Sequence, residues 1–374
     1  MQQTRYKVLH IGFGGGIASL IVNLIENKTE DFDFDVMVFS YENGEHLVER
    51  LNRAGSKVFV MPRPRIDGYN SYRNYVLKVM TDNHYDAVHC HITGWRALAF
   101  YRLAKAAGIR KFFLHAHASR YETKFDRSFP VLAISRYINY KCASAFFACS
   151  NLAANYMFGK YQERRMTFFI RNGIAKEEYA EEISATQREA YRREFAINPN
   201  ETVLLHVGRF TPQKNHDFIL AFVHALKMRG EKVKLLLLGD GALLDQMKKK
   251  CKSMDLQSDV LFLGWRLDVP SIMQFCDLMI LPSRYEGLPT VAIECQATGT
   301  PMLLADCITR QCDMGIGLLT FLPNDKTELW VKAFNERKGK IDHKVALSAL
   351  EERGFTSETA GRNYCEMLKE LIEA

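Results

Sequence analysis

The chain has no CxxC pair, no tandem repeat, no low-complexity segment, and no apolar run of the roughly 18 residues needed to span a bilayer. Its nine cysteines are odd in number and lie mostly in apolar stretches such as Phe146-Phe147-Ala148-Cys149. They read as reduced core thiols, which excludes a disulfide scaffold and leads us to expect a cytoplasmic protein. The amino terminus, Met1-Gln2-Gln3-Thr4-Arg5, enters a strand-like run and lacks the apolar core of a signal peptide. Any membrane contact is therefore expected to be peripheral, at the inner face of the cell membrane. What is present suits a folded chain: 374 residues, 47% hydrophobic and 25% charged, which excludes disorder and collagen. At roughly 150 residues per domain, two domains are expected. The formal charge of +7 is one-sided. Residues 1–180 carry 25 Lys and Arg against 16 Asp and Glu, and residues 181–374 carry 25 against 27. A basic first half suggests an anionic partner such as phosphate, nucleic acid or a membrane surface.

Short apolar runs alternate with helix-length segments along the whole chain. Strands are predicted near 7–11, 35–40, 57–61, 87–91, 112–115, 145–149 and 167–171, and again near 202–207, 233–238, 260–263, 278–281, 302–305 and 318–322. This alternation builds parallel sheets from βαβ units. A polar stretch at 176–200 interrupts it and ends on the turn signal Asn198-Pro199-Asn200. Two doubly wound α/β domains are expected, 1–180 and 181–355, with an amphipathic helix over 356–374 packing back on the first. Open parallel sheets bind ligands at the carboxyl ends of their strands, so two such domains facing a cleft would hold the ligand there.

Three motifs follow strands. Gly12-Phe13-Gly14-Gly15-Gly16 lies between the first strand and a helix, where glycines and free N–H groups admit a phosphate. It is not a GxGxxG fingerprint, because position 17 is Ile17. Val207-Gly208-Arg209 and Lys214-Asn215 put two cations at the carboxyl end of the strand that opens the second domain, suited to a diphosphate. The most specific block runs from Ser283 to Glu294. Thr290 is expected to cap a helix that stops at Gly299, with Glu286 before it and Glu294 one turn inside. Two carboxylates there can accept hydrogen bonds from sugar hydroxyls.

In this order the Gly-rich loop, Gly-Arg-x4-Lys, Gly239-Asp240-Gly241 and Glu-x7-Glu resemble a retaining glycosyltransferase of the GT-B fold, family 4, over nearly the whole chain. The first half, with Asp86-Ala87-Val88-His89-Cys90-His91, Ala104-Lys105-Ala106-Ala107-Gly108 and Leu114-His115-Ala116-His117, is similar to bacterial exopolysaccharide and capsule enzymes. The resemblance implies that Arg209 and Lys214 hold the donor diphosphate and that Glu286 contacts the transferred sugar. It implies a backbone cradle of Gly287, Leu288, Pro289 and Thr290, and a grip on the ribose by Glu294. Gly15 and Gly16 would approach the diphosphate, and His117 would sit near the sugar. Backbone around Gly264, Trp265 and Arg266 would read the base, and Gly208, Gly239 and Gly241 would shape the pocket. A nucleotide sugar, on family frequency UDP-linked, is the implied donor. A lipid-linked or oligosaccharide acceptor is implied in the first domain, with no cofactor and no metal.

Two features tempt a metal reading. The pairs His89/His91 and His115/His117 each fall on one strand face, which suits a cleft wall, but no carboxylate or Cys pair shows ligand spacing with them. Asp31-Phe32-Asp33-Phe34-Asp35 mimics the DxD metal motif, yet it leads into the second strand at its amino end, away from the ligand crest. A basic and aromatic segment, 95–105, together with Arg63, Arg65, Arg120, Arg136 and Lys141, suggests docking on an anionic membrane. Competing readings are a GT-B nucleotide-sugar epimerase and a nicotinamide oxidoreductase, the latter with Glu42 as its ribose acid. Nucleic-acid binding has no motif to support it.

Overall fold

A computed structural model of the protein describes residues 5–12, 14, 16–40, 44–120 and 124–374. Gly15 and Glu42 lie outside them. The chain divides into two compact units, Met1–Ile174 with Gly354–Ala374, and Ala175–Arg353. Each is built on one parallel sheet with helices packed against it.

The first unit contains β1 (Tyr6–Ile11), β2 (Phe32–Val38), β3 (Val58–Val60), β4 (Ala87–Cys90), β5 (Lys111–Ala116), β6 (Ala145–Ala148) and β7 (Thr167–Phe169). Their order in the sheet is β3-β2-β1-β4-β5-β6-β7. The second contains β8 (Thr202–Val207), β9 (Val233–Leu238), β10 (Val260–Gly264), β11 (Leu278–Leu281), β12 (Met302–Ala305) and β13 (Leu319–Leu322), ordered β10-β9-β8-β11-β12-β13. All pairings are parallel. The direction of winding reverses between β1 and β4, and between β8 and β11. Those are the switch points where doubly wound sheets open a crevice. Both units are Rossmann-like.

Strands buried on two faces read as continuous apolar runs: β9 is Val-Lys-Leu-Leu-Leu-Leu and buried throughout. In the second unit Phe218 and Phe222, from the helix His216–Lys227, meet Trp330 edge-on, and Phe222 also meets Phe334. In the first unit the helix Gly16–Glu26 packs on the terminal helix Ser357–Glu373. Ala360, Tyr364, Leu368 and Leu371 of that helix form a stripe at helical spacing within the same core as Leu20, Ile21 and Leu24. Thr356 caps it, accepting from the Thr359 amide at 3.3 Å. The chain leaves and re-enters this unit side by side, through the bridge Ile174–Thr356.

Several local expectations need correction. β2 begins at Phe32, so Asp33 and Asp35 are inside the strand and not at its approach. Asp35 is buried and accepts from the Tyr85 hydroxyl at 2.7 Å and the Lys57 amide at 2.8 Å, which makes it a brace between strands. Pro289, not Thr290, occupies the cap position of the helix Thr290–Ala297. Cys307 is exposed, unlike the other eight cysteines. Of the aromatics in 95–105, Phe100 belongs to the core and Trp95 is the exposed one.

Gly361 is required by close packing: a Cβ there would stand 2.5 Å from the Asn27 carbonyl oxygen. Gly361→Ala is expected to push the terminal helix off its neighbour at a cost of about 1–3 kcal/mol. A lower denaturant midpoint for the first unit, followed through Tyr364 burial, is the measurement that checks it.

Candidate active site

The second unit assembles its site from loops that follow β8, β9 and β11. Close backbone approach comes first. Gly208 donates to the Leu238 carbonyl at 2.9 Å and Gly239 donates to the Gly264 carbonyl at 2.7 Å, so three strand ends are zipped together. A Cβ on Gly239 would stand 2.2 Å from the Gly208 oxygen, and one on Gly241 would stand 2.8 Å from Phe210 backbone. Both glycines also have positive φ. At Gly208 the limit is a side chain: a Cβ would meet Lys214 Cε at 3.0 Å. The missing side chain lets the Lys214 stem lie across the strand end.

Lys214 reaches Glu286, with Nζ to Oε1 at 2.8 Å. Both side chains are largely buried, so removing one partner would leave the other charge uncompensated at a cost of about 3–5 kcal/mol. Gln213 Nε2 donates to Glu286 Oε2 at 3.2 Å and to the Tyr285 carbonyl at 3.0 Å. The Arg284 amide donates to the Gln213 carbonyl at 2.8 Å. Asn215 completes the seam. Held at φ 59° before its helix, it donates to the Pro282 carbonyl at 3.2 Å, while its Oδ1 accepts from Arg284 Nη2 at 3.2 Å. Gln213, Asn215 and Arg284 were missed as site residues. Their signal was the run Gln213-Lys214-Asn215 beside the Glu-x7-Glu block, but the pairing is long-range. Arg209 is exposed, and among the described residues its side chain has no partner. The geometry thus offers one paired and one unpaired cation at a strand's carboxyl end.

Glu294 lies in the helix Thr290–Ala297 and is half-buried. Burial pushes its carboxyl up to about 7, with the negative charge of Glu178 acting the same way. A hydrogen bond from Tyr179 and the charge of Lys214 oppose the rise. Tyr179 is itself buried and held well above its ordinary value, first by burial and then by the charge of Glu294. Tyr179 and Glu178 lie in the polar stretch the sequence offers only as a boundary. Gly287, Leu288 and Pro289 are buried in the turn before this helix, and Thr290 is half-buried at its start. The first-turn amides of that helix have no i−4 carbonyl within it. Trp265 is 57% exposed after β10. The Arg266 side chain is tied to Asp268 and Glu194, each at 2.7 Å, and lies over Phe195, so only backbone at that position is left for a ligand.

In the first unit, Gly12 and Gly14 have positive φ after β1, and Gly16 starts the following helix with open space where a Cβ would be. His117 follows β5, is half-buried, and shares a 2.7 Å hydrogen bond between its Nε2 and His91 Nδ1. His89, His91 and His115 are buried in the interior, which corrects their reading as a cleft wall. Each offers a ring nitrogen within 4.8 Å of the others, a spacing a cation could use.

Residues 14–178 match the family described as Glycosyltransferase Family 4, and residues 187–314 that described as Glycosyl transferases group 1. The chain is 30% identical over 369 residues to the glycosyltransferase EpsF of Bacillus subtilis (strain 168), covering 96% of this chain and 92% of that one. It is 27% identical over 246 residues to the UDP-Gal:alpha-D-GlcNAc-diphosphoundecaprenol alpha-1,3-galactosyltransferase of Escherichia coli, covering 63% and 61% respectively. The crystal structure of Anabaena HepE in complex with UDP and glucose matches 98% of this chain and 100% of its own with a TM-score of 0.75, at 19% identity.

The raised carboxyl of Glu294 has a consequence for stability. Between its unfolded value and about 7 the folded protein binds the extra proton, so stability is expected to fall as pH rises through that window. Glu294→Gln should remove this part of the slope between pH 5 and 7, as measured by denaturant midpoints of both proteins. An identical slope in the two would contradict the assignment.

Proposed function

This chain belongs to the GT-B glycosyltransferases of family 4, and we propose that it moves a hexose or N-acetylhexosamine from a UDP-sugar with retention and without a metal. The acceptor we propose is a glycan or lipid-linked sugar of bacterial surface polysaccharide synthesis. The observation that carries this reading is the Lys214–Glu286 pair, set beside Arg209 at the switch point of the second sheet. Sugar–phosphate cleavage builds negative charge on the departing diphosphate, and fixed cations there act as the main catalytic term. Arg209 and Lys214 fill that role, where other enzymes use a metal ion. Glu286 accepts from hydroxyls of the transferred sugar, Glu294 from the ribose, and the turn Gly287–Thr290 presents backbone to the donor. Gly16 and His117 contribute from the first unit, and we extend the same role to Gly15. Retention follows a front-face route in which the departing phosphate helps deprotonate the acceptor, so no protein nucleophile is required.

The acceptor named for the E. coli relative is a sugar on a lipid diphosphate. A comparable acceptor would explain a basic first half. The first unit exposes Trp95, Phe125, Phe129 and Tyr137, at 45%, 66%, 84% and 49%, with Arg96, Arg102 and Lys141 also exposed. Aromatic side chains among bases suit an anionic lipid surface. Two of the bases are already engaged: Arg136 donates to the carbonyls of Tyr156 and Asn155, and Arg96 pairs with buried Asp126 at 3.0 Å. No described helix is long and apolar enough to cross a membrane.

A thermal-shift panel of nucleotides and nucleotide sugars should give its largest rise with UDP or a UDP-sugar, and a panel in which none stabilises the protein would sink the donor assignment. Lys214→Ala is expected to lower kcat by about 100- to 1000-fold, and NMR of the product should find the donor's anomeric configuration kept. Turnover of donor without acceptor would instead favour an epimerase. The paired change Phe125→Ser and Phe129→Ser should abolish flotation with phosphatidylglycerol vesicles while leaving transfer to a soluble acceptor analogue within about twofold, because these rings are already exposed and their loss removes only apolar area available to lipid. Wild-type flotation that is indifferent to anionic lipid refutes the docking.

A further inference from the structure

We propose that six side chains of the first unit form one directed hydrogen-bond chain that fixes His117 as its Nδ1–H tautomer, so that His117 meets the donor sugar as a neutral hydrogen-bond donor and not as a proton acceptor. The proposal rests on the placement of His117 at the sugar in the reading above.

The strands place these rings in one array. His10 is on β1, His89 and His91 are on and just after β4, and His115 and His117 are on and just after β5. His10 is level with His89 in the sheet. Tyr364 comes from the terminal helix and is fully buried among them. The contacts join end to end without branching. His115 Nδ1 meets His89 Nε2 at 3.1 Å. His89 Nδ1 meets the Tyr364 hydroxyl at 2.7 Å. That hydroxyl meets His10 Nε2 at 3.2 Å. His10 Nδ1 meets His91 Nε2 at 2.9 Å, and His91 Nδ1 meets His117 Nε2 at 2.7 Å. Both nitrogens of His89, His91 and His10 are therefore used, and the chain has two ends. One end is His115 Nε2, which is buried with no protein partner. The other is Nδ1 of the half-buried His117, which has no protein partner among the described residues.

Burial drives the imidazoles far below their ordinary value, His10 and His117 to about 3, so each ring carries one proton. A neutral imidazole donates through one nitrogen and accepts through the other. Each ring then passes the direction on to the next, and only two arrangements of the whole chain exist. In one, His117 donates from Nε2 and the last proton rests on His115 Nε2, an N–H buried with nothing to accept it. In the other, His115 donates from Nδ1, every ring does the same in turn, Tyr364 donates to His10, and the buried end is a bare lone pair. Unpaired buried N–H groups are the rarer defect. The second arrangement wins, and it leaves the proton of His117 on Nδ1, at the end that is not sealed in the core. His91 is the positioning residue that holds His117 in this form, and Tyr364 ties the terminal helix into the same chain.

A cation at His89, His91 and His115 is the rival use of these rings. It would have to displace hydrogen bonds already made, and no carboxylate is in that cluster to offset its charge. The test is long-range 1H–15N NMR of the full-length protein labelled at histidine, with the His117 signals assigned from His117→Ala. All five rings are expected as Nδ1–H near pH 7, against the Nε2–H form that dominates free histidine. An Nε2–H or imidazolium signature at any of the five overturns the proposal, and so does one zinc per chain in elemental analysis of the purified protein. His91→Phe keeps a ring in place and removes the bond to His117. It is expected to shift His117 towards Nε2–H and to lower kcat several-fold, with donor KM within about twofold of the wild type. An unchanged His117 tautomer, or unchanged kcat with the tautomer switched, overturns it. Absence of transfer in the wild type counts against the proposed function alone, because the tautomers are read without turnover.

Discussion

The ion pair between Lys214 and Glu286 is the contact through which two distant loops of the second unit become one site. It spans 72 positions in sequence and 2.8 Å in space. Around it the smaller contacts fall into order. Gln213 bonds the same carboxylate, Asn215 and the Gln213 carbonyl hold Arg284, and Gly208 leaves the room that the Lys214 stem occupies. Each lone contact is modest, about 1 kcal/mol net for a neutral hydrogen bond and about 1.5–3 kcal/mol where one partner is charged. Together they leave the carboxylate and the ammonium few other positions. The sheet supplies the rigid base. β8 and β11 are neighbours because the winding reverses there, and as parallel strands they end on the same side of the sheet.

The first unit manages polarity differently. Its sheet is covered on both faces, yet it carries a row of histidines where apolar side chains would be ordinary. A buried polar group is tolerable only when paired, and here the rings pair mainly with one another and with Tyr364. The terminal helix is therefore both a hydrophobic cover and a hydrogen-bond partner. It returns to this unit after the whole second unit has been built, entering beside Ile174, where the oxygen of Thr356 would stand 2.4 Å from a Cβ on Gly173. The integrity of the first sheet thus depends on residues more than 170 positions after its last strand.

Much of this was legible in the chain. Alternating apolar runs and helical segments gave two parallel sheets, because period and length alone separate buried strands from amphipathic helices. The Gly-rich turns, the Gly-Arg-x4-Lys segment and the Glu-x7-Glu block marked the loops that the second unit does bring together at Lys214 and Glu286. What stayed hidden was long-range. Asn215, Arg284 and Tyr179 act through partners far away in sequence or in separate elements, and no local pattern announces them. The histidine pairs were visible as strand faces, but His10 and Tyr364 were not seen to join them, since a single His or Tyr in an apolar run reads as core. Asp35 looked like part of an acidic entrance because propensity places strand ends only to within a few residues, and its partner Tyr85 lies 50 positions on.

The arrangement also bears on how an anionic donor would engage the second unit. Arg209 is exposed and unpaired among the described residues, so a diphosphate can reach it without displacing a protein group. Lys214 is different, because its charge is already balanced by Glu286. Under the proposed function, a dianion drawing on Lys214 weakens its hold on Glu286, and the carboxylate regains capacity to accept from sugar hydroxyls. Phosphate and sugar recognition then become coupled through one bond that exists before either arrives. The cost of desolvating both charges is met in folding and not at binding. A nucleotide without its sugar would loosen the pair without supplying the hydroxyls that replace the ammonium at Glu286. The full donor would satisfy both ends, and such a site favours the intact nucleotide sugar over its parts.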